Sequence, residues 1–274
     1  MDSKTLRQIL TLICVFLGVL FLARQAPAQS LKPEKLITTT WRNSEGGRIR
    51  ISLQPTWQNG RREGLIEVML KPNWKTYWQN PGSSGMAPTF RFDQNIRYRI
   101  LYPVPQLFED GSDWSIGYKD SVSLPFVVEK NDEEMKLTGH LTIGLCRNIC
   151  IPVDVDFDFS DAKGKLLAPI SLLSLAKDKL PEKQPPDSSI RTTIDGDNLV
   201  FIITHPEKSN ITALYVDGGK TEISPMKIID KTENKTVFKG KIVAAKEMTP
   251  LKINYIVEAK PVSFSGFVTC VTSH

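Results

Sequence analysis

The feature that most constrains the fold is a two-residue alternation of apolar and polar side chains. In residues 153–159, three aspartates separate Val153, Val155, Phe157 and Phe159. Such alternation is typical of a β-strand with one buried and one exposed face. The same or a similar pattern occurs in residues 48–53, 64–70, 97–101, 122–128 and 136–143. Because these strands are short and separated by glycines and prolines, the pattern predicts a β-sandwich.

A polar stretch divides this group of strands from a second group. Residues 179–189 hold three prolines, and we interpret them as a linker. Just before it, residues 162–180 carry leucines and isoleucine at a spacing that predicts one or two short helical turns. Strand patterns resume at residues 190–194, 199–204, 211–216, 236–243, 251–258 and 262–271, with a hairpin turn at Asp195-Gly196-Asp197-Asn198. The sequence therefore predicts an all-β protein with two β-sandwich domains in tandem, residues 29–178 and residues 190–274.

The N-terminus predicts export. Lys4 and Arg7 precede an uncharged apolar run of about 15 residues, and Ala26-Pro27-Ala28 follows it. This order is typical of a signal peptide, residues 1–28, cleaved near Ala28. The run is shorter than the roughly 20 residues that span a bilayer, although an uncleaved anchor is the alternative. We expect an exported protein that is soluble after cleavage.

The charge gives no indication of a nucleic-acid partner. The chain has a net charge of +5. Three basic residues and one acidic residue lie within residues 1–28, which leaves +3 for the rest. Basic and acidic side chains are interspersed and form no basic block, so we expect no nucleic-acid binding.

The cysteines carry the clearest chemical signal. Cys14 lies in the signal peptide, so an exported chain would keep Cys146, Cys150 and Cys270. Three is an odd number, and Cys270, near the end of the chain, is the expected unpaired thiol. Cysteines four apart on an extended strand lie too far apart to be bridged. We therefore predict that Cys146 and Cys150 flank a tight turn, with residues 147–149 at its tip.

A bridge across so short a turn favours redox chemistry over structural cross-linking. Closing a loop of about five residues stabilises a fold by roughly 2 kcal/mol in the chain-entropy model. Arg147 beside the sulfur would favour the thiolate. A structural disulfide stays open as an alternative, as does binding of a soft ion such as Cu(I). For a metal site, however, the sequence near the pair offers few histidine or methionine ligands.

Three motifs resemble one protein family. Residues 74–85 (WKTYWQNPGSSG) resemble the W-x-T-Y-W-x-N-P-G-x-x-G signature of the periplasmic N-terminal domain of DsbD-like proteins. Residues 117–125 (GYKDSVSLP) and 146–152 (CRNICIP) are similar to two later segments of that domain, the second being its C-x-x-x-C-x-P hairpin. DsbD itself spaces its cysteines further apart. The resemblance is therefore to the longer, suppressor-of-copper-sensitivity (ScsB-type) branch, whose extra immunoglobulin-like domain the second set of strands resembles in pattern.

The resemblance implies an immunoglobulin-like sandwich and a function in thiol–disulfide interchange. Cys146 and Cys150 would take electrons from a membrane-embedded thiol transporter and reduce periplasmic thioredoxin-like proteins, as part of a protein-disulfide reductase system. No bound cofactor and no metal would be needed. The resemblance also implies a cap over the pair, with Phe108 or Trp114 as the covering ring, and it places Tyr118 near the site.

Two alternatives qualify these expectations. Trp74, Tyr77 and Trp78 of the first motif are interpreted as scaffold residues packed in the core. The alternative function, from a different class, is a binding module without catalysis. In it the disulfide shapes a hairpin tip, and copper tolerance is one candidate role. If the pair does exchange electrons, we expect another protein to supply them.

Overall fold

The computed structural model describes residues 35–111, 113–129, 136–161, 165–244 and 251–270. The predicted signal peptide, residues 1–28, lies outside these ranges. Among the residues described, no helix combines the length and the apolar character needed to cross a membrane. Most of the described residues lie in strands, which confirms the all-β prediction.

The first thirteen strands form two antiparallel sheets. Their bounds are β1 (Lys35–Thr38), β2 (Arg42–Ser44), β3 (Gly47–Leu53), β4 (Arg61–Leu70), β5 (Lys75–Gly82), β6 (Thr89–Phe92), β7 (Arg97–Ile100), β8 (Gln106–Asp110), β9 (Asp113–Lys119), β10 (Ser121–Glu129), β11 (Thr138–Cys146), β12 (Cys150–Asp158) and β13 (Leu166–Pro169). One sheet has the order β13–β1–β3–β4–β10–β7, with β2 beside β3. The other has the order β12–β11–β5–β9–β8, with β6 also paired to β11. The cysteine-bearing hairpin β11–β12 therefore lies at one edge of the second sheet.

A single apolar core joins these two sheets. It includes Ile49 and Ile66 from the first sheet, and Leu141 and Val155 from the second. The alternation in residues 153–159 has the predicted effect, because the apolar side chains of β12 are buried and its aspartates are exposed. The sandwich predicted for this part of the chain is confirmed.

The remaining nine strands form a second pair of sheets. Their bounds are β14 (Glu182–Lys183), β15 (Ser189–Asp195), β16 (Asn198–Thr204), β17 (Asn210–Asp217), β18 (Glu222–Ile223), β19 (Lys227–Lys231), β20 (Lys235–Ala244), β21 (Leu251–Lys260) and β22 (Phe264–Cys270). The sheet orders are β14–β22–β21–β17 and β15–β16–β20–β18, with β19 also paired to β20. Asp195 pairs with Asn198 across a two-residue turn, and Gly196 there has a φ of 56°, so the predicted hairpin is confirmed.

The predicted helical turns are only partly right. The helix α1 (Ser171–Lys177) buries Leu173 and Ala176 against Leu36 and Leu65 of the first sheet. Leu166–Pro169, however, form strand β13, which pairs antiparallel with β1. A proline inside a helix would remove a hydrogen bond and clash with the preceding turn. Pro169 therefore separates a short edge strand from a one-turn to two-turn helix.

Direct contacts join the two pairs of sheets. The Asn80 side-chain amide donates a hydrogen bond of 2.9 Å to the Val216 carbonyl, and the rings of Trp78 and Tyr215 meet edge to face with centroids 6.4 Å apart. The stretch predicted as a linker, residues 179–189, contributes strand β14 to the second pair. The division into two domains at this stretch stays a prediction.

Candidate functional site

The cysteine pair closes the tip of the β11–β12 hairpin. Cys146 ends β11 and Cys150 begins β12, and the two residues lie directly opposite each other in the antiparallel register. Their Cα atoms are 4.1 Å apart and their sulfurs form a disulfide. The Arg147 amide donates to the Ile149 carbonyl at 3.2 Å, which tightens the turn. The predicted three-residue tip is confirmed.

The two cysteines differ strongly in exposure. Cys146 is only 2% exposed, because β5 pairs with the end of β11 on its other side. Cys150 is exposed, and so is Ile149 beside it, at 71%. An approaching thiol therefore reaches the sulfur of Cys150 more readily than that of Cys146.

A cleft of about 170 Å³ lies beside the disulfide. Phe108 and Trp114, the two predicted covering rings, and Arg147 all line it together with the two cysteines. Phe108 lies on β8 directly opposite Ser115 of β9, so the β8–β9 hairpin forms one wall of the cleft. The structure thus brings together the cysteines and three of their four predicted neighbours.

Tyr118 is the predicted neighbour that the structure does not bring to the cleft. It lies on β9 three residues after Ser115, and an odd separation along a strand places two side chains on opposite faces. Its ring packs in the core, and its hydroxyl donates to the Pro103 carbonyl at 2.9 Å. Burial raises the pKa of Tyr118 well above its usual range, so this hydroxyl stays protonated.

Tyr77 reaches the disulfide from β5. Its ring is 1% exposed, and its hydroxyl lies 3.2 Å from Cys150 Sγ. Since a disulfide sulfur carries no hydrogen, the tyrosine is the donor in this state. Burial raises the pKa of Tyr77 to about 12, which keeps the hydroxyl protonated at neutral pH. It can therefore donate to a Cys150 thiolate once the disulfide opens.

Glycines leave room for the Tyr77 ring. A Cβ atom added at Gly85 would lie 2.6 Å from Tyr77 Cδ1 and 2.5 Å from Pro81 Cβ. On β11, a Cβ at Gly144 would lie 2.8 Å from Met86 Cβ and 3.4 Å from Tyr77 Cδ2. The loop after β5 thus packs closely over the ring, and it also places the Ser84 carbonyl oxygen 3.8 Å from Cys150 Sγ.

Two cationic side chains line the cleft, and they have different partners. Lys75, on β5, donates from Nζ to Ser115 Oγ at 2.8 Å, and Nζ lies 5.2 Å from the centroid of the Phe108 ring. The Arg147 guanidinium carbon lies 5.6 Å from the centroid of the Trp74 ring. Arg147, whose charge was predicted to lie beside the sulfur, thus makes a cation–π contact with a scaffold residue.

Comparison with known proteins identifies the segment that carries this site. Residues 49–162 match the family model described as thiol:disulfide interchange protein DsbD, N-terminal. This segment is a DsbD N-terminal-like domain. The match spans the Trp74–Gly85 motif, the β8–β9 hairpin and the cysteine hairpin. No similar sequence was found among curated proteins.

The fold of most of the chain has a solved counterpart. The N-terminal periplasmic domain of ScsB from Proteus mirabilis is 20% identical in sequence, with a TM-score of 0.72 over 87% of this chain and 100% of that one. This likeness agrees with the immunoglobulin-like sandwich fold that the family resemblance implies. The titin immunoglobulin tandem domains A164-A165 are a far more distant match, at 12% identity and a TM-score of 0.23 over 78% of this chain and 88% of that one.

Two residues of the DsbD N-terminal-like domain were missed as site residues by sequence reasoning. Tyr77 was interpreted as scaffold, and its ring is indeed buried, but its hydroxyl contacts Cys150. Lys75 was not singled out at all. Their spacing held a usable signal. Trp74 and Trp78 face the core, so alternation places Lys75 and Tyr77 on the opposite face of β5, where the β11–β12 hairpin presents the cysteines.

Other candidate chemistry lies away from the cleft. Cys270 is a free thiol buried in the second core, and its sulfur lies 3.1 Å from Thr192 Oγ1. Burial raises the pKa of this thiol, which makes it a poor nucleophile. Among the described residues, no group of three or more His, Cys, Asp or Glu side chains could hold a metal ion.

Proposed function

We propose that this chain is a periplasmic thiol–disulfide interchange protein. Its Cys146–Cys150 pair would pass electrons from a membrane-embedded thiol transporter to thioredoxin-like proteins. The observation that carries the proposal is the disulfide itself, which spans a three-residue tip with Cys150 exposed, Cys146 buried and the Tyr77 hydroxyl at the accessible sulfur. The family match over residues 49–162 supports the same chemistry.

The short hairpin leaves little for this disulfide to stabilise. Nine consecutive residue pairs already hold β11 against β12, and Cys146–Cys150 is the last of them. Closing so short a loop would add roughly 2 kcal/mol in the chain-entropy model. A bond at an exposed turn is also more readily reduced than one in a core. A structural role therefore explains less of the arrangement than an exchange role does.

The chain would be reduced by two successive thiol attacks. A thiolate of the donor attacks Cys150 Sγ, the S–S bond breaks, and its electron pair leaves on Cys146 Sγ, which becomes a thiolate. The second thiolate of the donor attacks the donor sulfur of this mixed disulfide. The donor leaves as a disulfide, Cys150 is released as a thiolate, and two electrons have entered the chain.

The reduced chain would pass the same two electrons on. The Cys150 thiolate, which the Tyr77 hydroxyl can stabilise, attacks the disulfide of a thioredoxin-like partner and displaces one partner sulfur as a thiolate. Cys146 then attacks Cys150 Sγ and displaces the second partner sulfur. The Cys146–Cys150 disulfide is restored, and the partner leaves as a dithiol.

A transfer experiment tests this function. We expect that the reduced chain, freed of reductant and mixed with an oxidised periplasmic thioredoxin-like protein, will convert that protein to its dithiol while Cys146–Cys150 re-forms. Acid quenching and alkylation of free thiols, followed by mass spectrometry, measure both changes. The Cys146→Ala/Cys150→Ala variant, which keeps Cys270, is the control and should transfer nothing. If every thioredoxin-like protein tried stays oxidised, the proposal is wrong.

A further inference from the structure

We propose that Lys75 supplies the positive charge that stabilises the Cys146 thiolate, the leaving group when Cys150 is attacked. This inference rests on the proposed function, because the leaving group exists only if the disulfide opens. It assigns a role to a residue that neither the cysteine motif nor the family match singles out.

The sheet register places Lys75 beside Cys146. Lys75 begins β5 and lies directly opposite Cys146, while its other neighbour in the sheet is Lys119 of β9. Side chains of directly opposed residues lie on the same face, with Cβ atoms about 4.5–5.5 Å apart. Both side chains line the cleft described above.

Further contacts keep the ammonium group of Lys75 in the cleft. Nζ donates to Ser115 Oγ at 2.8 Å, and it lies 5.2 Å from the ring centroid of Phe108 and 6.0 Å from that of Tyr77. In the part of the chain that the structure describes, no carboxylate lies within salt-bridge distance of it. Its charge is thus held near the disulfide without an ion-pair partner.

The buried position of Cys146 creates the need for this charge. When a thiolate attacks Cys150 Sγ, the S–S bond breaks and the electron pair moves to Cys146 Sγ. With Cys146 2% exposed, water has little access to the new anion, and an unsolvated charge is costly. A cation within about 4–6 Å lowers the pKa of the thiol by about 1–3 units, and a thiol of lower pKa leaves faster.

The other charged groups of the cleft do not replace Lys75. Asp110 and Asp113 line the cleft, and carboxylates would disfavour a negative charge on the Cys146 sulfur. Arg147 has its guanidinium over Trp74. Tyr77 is neutral and hydrogen bonds to Cys150, the attacked sulfur, and not to the leaving one. Stabilisation of the Cys146 thiolate therefore depends on the positive charge of the Lys75 ammonium group.

The test measures the pKa of Cys146 directly. In Cys150→Ala, the ultraviolet absorbance of the thiolate is followed against pH, and the signal of Cys146→Ala/Cys150→Ala is subtracted to remove Cys270. We expect Lys75→Met to raise the pKa of Cys146 by about 1 unit or more, which leaves about tenfold less thiolate at a pH well below the pKa of the parent. Lys75→Arg, which keeps the charge, should restore a pKa near that of the parent.

Two controls separate this effect from a general loss of positive charge around the hairpin. Arg147→Met and Lys119→Met each remove one positive charge near the hairpin, and both should leave the pKa of Cys146 within a few tenths of the parent. Lys75→Gln, which can still donate to Ser115, replaces Lys75→Met if circular dichroism shows that the methionine variant is unfolded. The inference is overturned if the lysine variant leaves the pKa unchanged, or if Arg147→Met shifts it as much.

The titration needs no partner protein, so it is independent of the transfer experiment. Transfer to a thioredoxin-like protein with an unchanged pKa in Lys75→Met would overturn the role of Lys75 and leave the proposed function standing. A raised pKa without transfer to any partner would support the charge assignment and overturn the exchange function.

Discussion

Cys146→Ala is expected to accumulate a mixed disulfide with a thioredoxin-like protein, whereas Cys150→Ala is expected to accumulate none. In the first variant the exposed Cys150 can attack the disulfide of the partner, but the chain lacks the second thiol that would release it. In the second variant, the remaining thiol is that of Cys146, which is 2% exposed behind β5. Nucleophilic attack requires an accessible thiolate.

The measurement is a non-reducing gel of each purified variant mixed with an oxidised partner and quenched with an alkylating agent, with mass spectrometry to locate the linkage. The two variants are matched, since each lacks one sulfur of the same bridge. Equal trapping by both, or trapping by Cys150→Ala alone, would contradict the assignment of Cys150 as the attacking residue.

Trp78→Ala is expected to lower the free energy of unfolding by about 3–5 kcal/mol, the range for large aromatic side chains deleted from a core. Trp78 is 1% exposed and is among the largest fully buried side chains. Its ring meets Tyr215 across the contact between the two pairs of sheets. Among the residues that the structure describes, none offers a hydrogen-bond partner to the buried indole nitrogen, so the expected loss comes from packing.

Urea denaturation measures this effect through the transition midpoint at an unchanged slope. The control is Trp41→Ala. Trp41 is only partly buried. The guanidinium carbons of Arg48 and Arg50 lie 4.6 and 4.5 Å from its ring centroid. Losing such contacts at a surface should cost about 1 kcal/mol or less. Equal losses for the two tryptophans would show that Trp78 is not a central packing residue.

The strands and the cysteine hairpin could be predicted because their signals are local. The aspartates of β12 alternate with buried apolar residues over its own length, and the four-residue separation of the cysteines admits few bridged geometries. Leu166–Pro169 were harder, because four residues are too few to distinguish a helical period from an edge strand. Their strand conformation depends on β1, more than a hundred residues earlier in the chain.

The composition of the cleft could be predicted only in part, because it depends on how distant strands meet. Lys75 and Cys146 are neighbours only through the pairing of β5 with β11, which no pattern within either strand determines. Tyr118 shows the converse. It lies on a strand that borders the cleft, but its position in the alternation turns it toward the core.

The reduction potential of the Cys146–Cys150 bond tests the central claim most directly. The purified chain would be equilibrated with dithiothreitol and glutathione buffers of graded potential, and the fraction of reduced pair would be measured by alkylation and mass spectrometry. If the pair exchanges electrons, its reduction potential is expected to lie above about −300 mV, in the range of dithiols that undergo thiol–disulfide exchange with thioredoxin-like proteins. A potential well below about −300 mV would mark an inert structural bond and contradict the account.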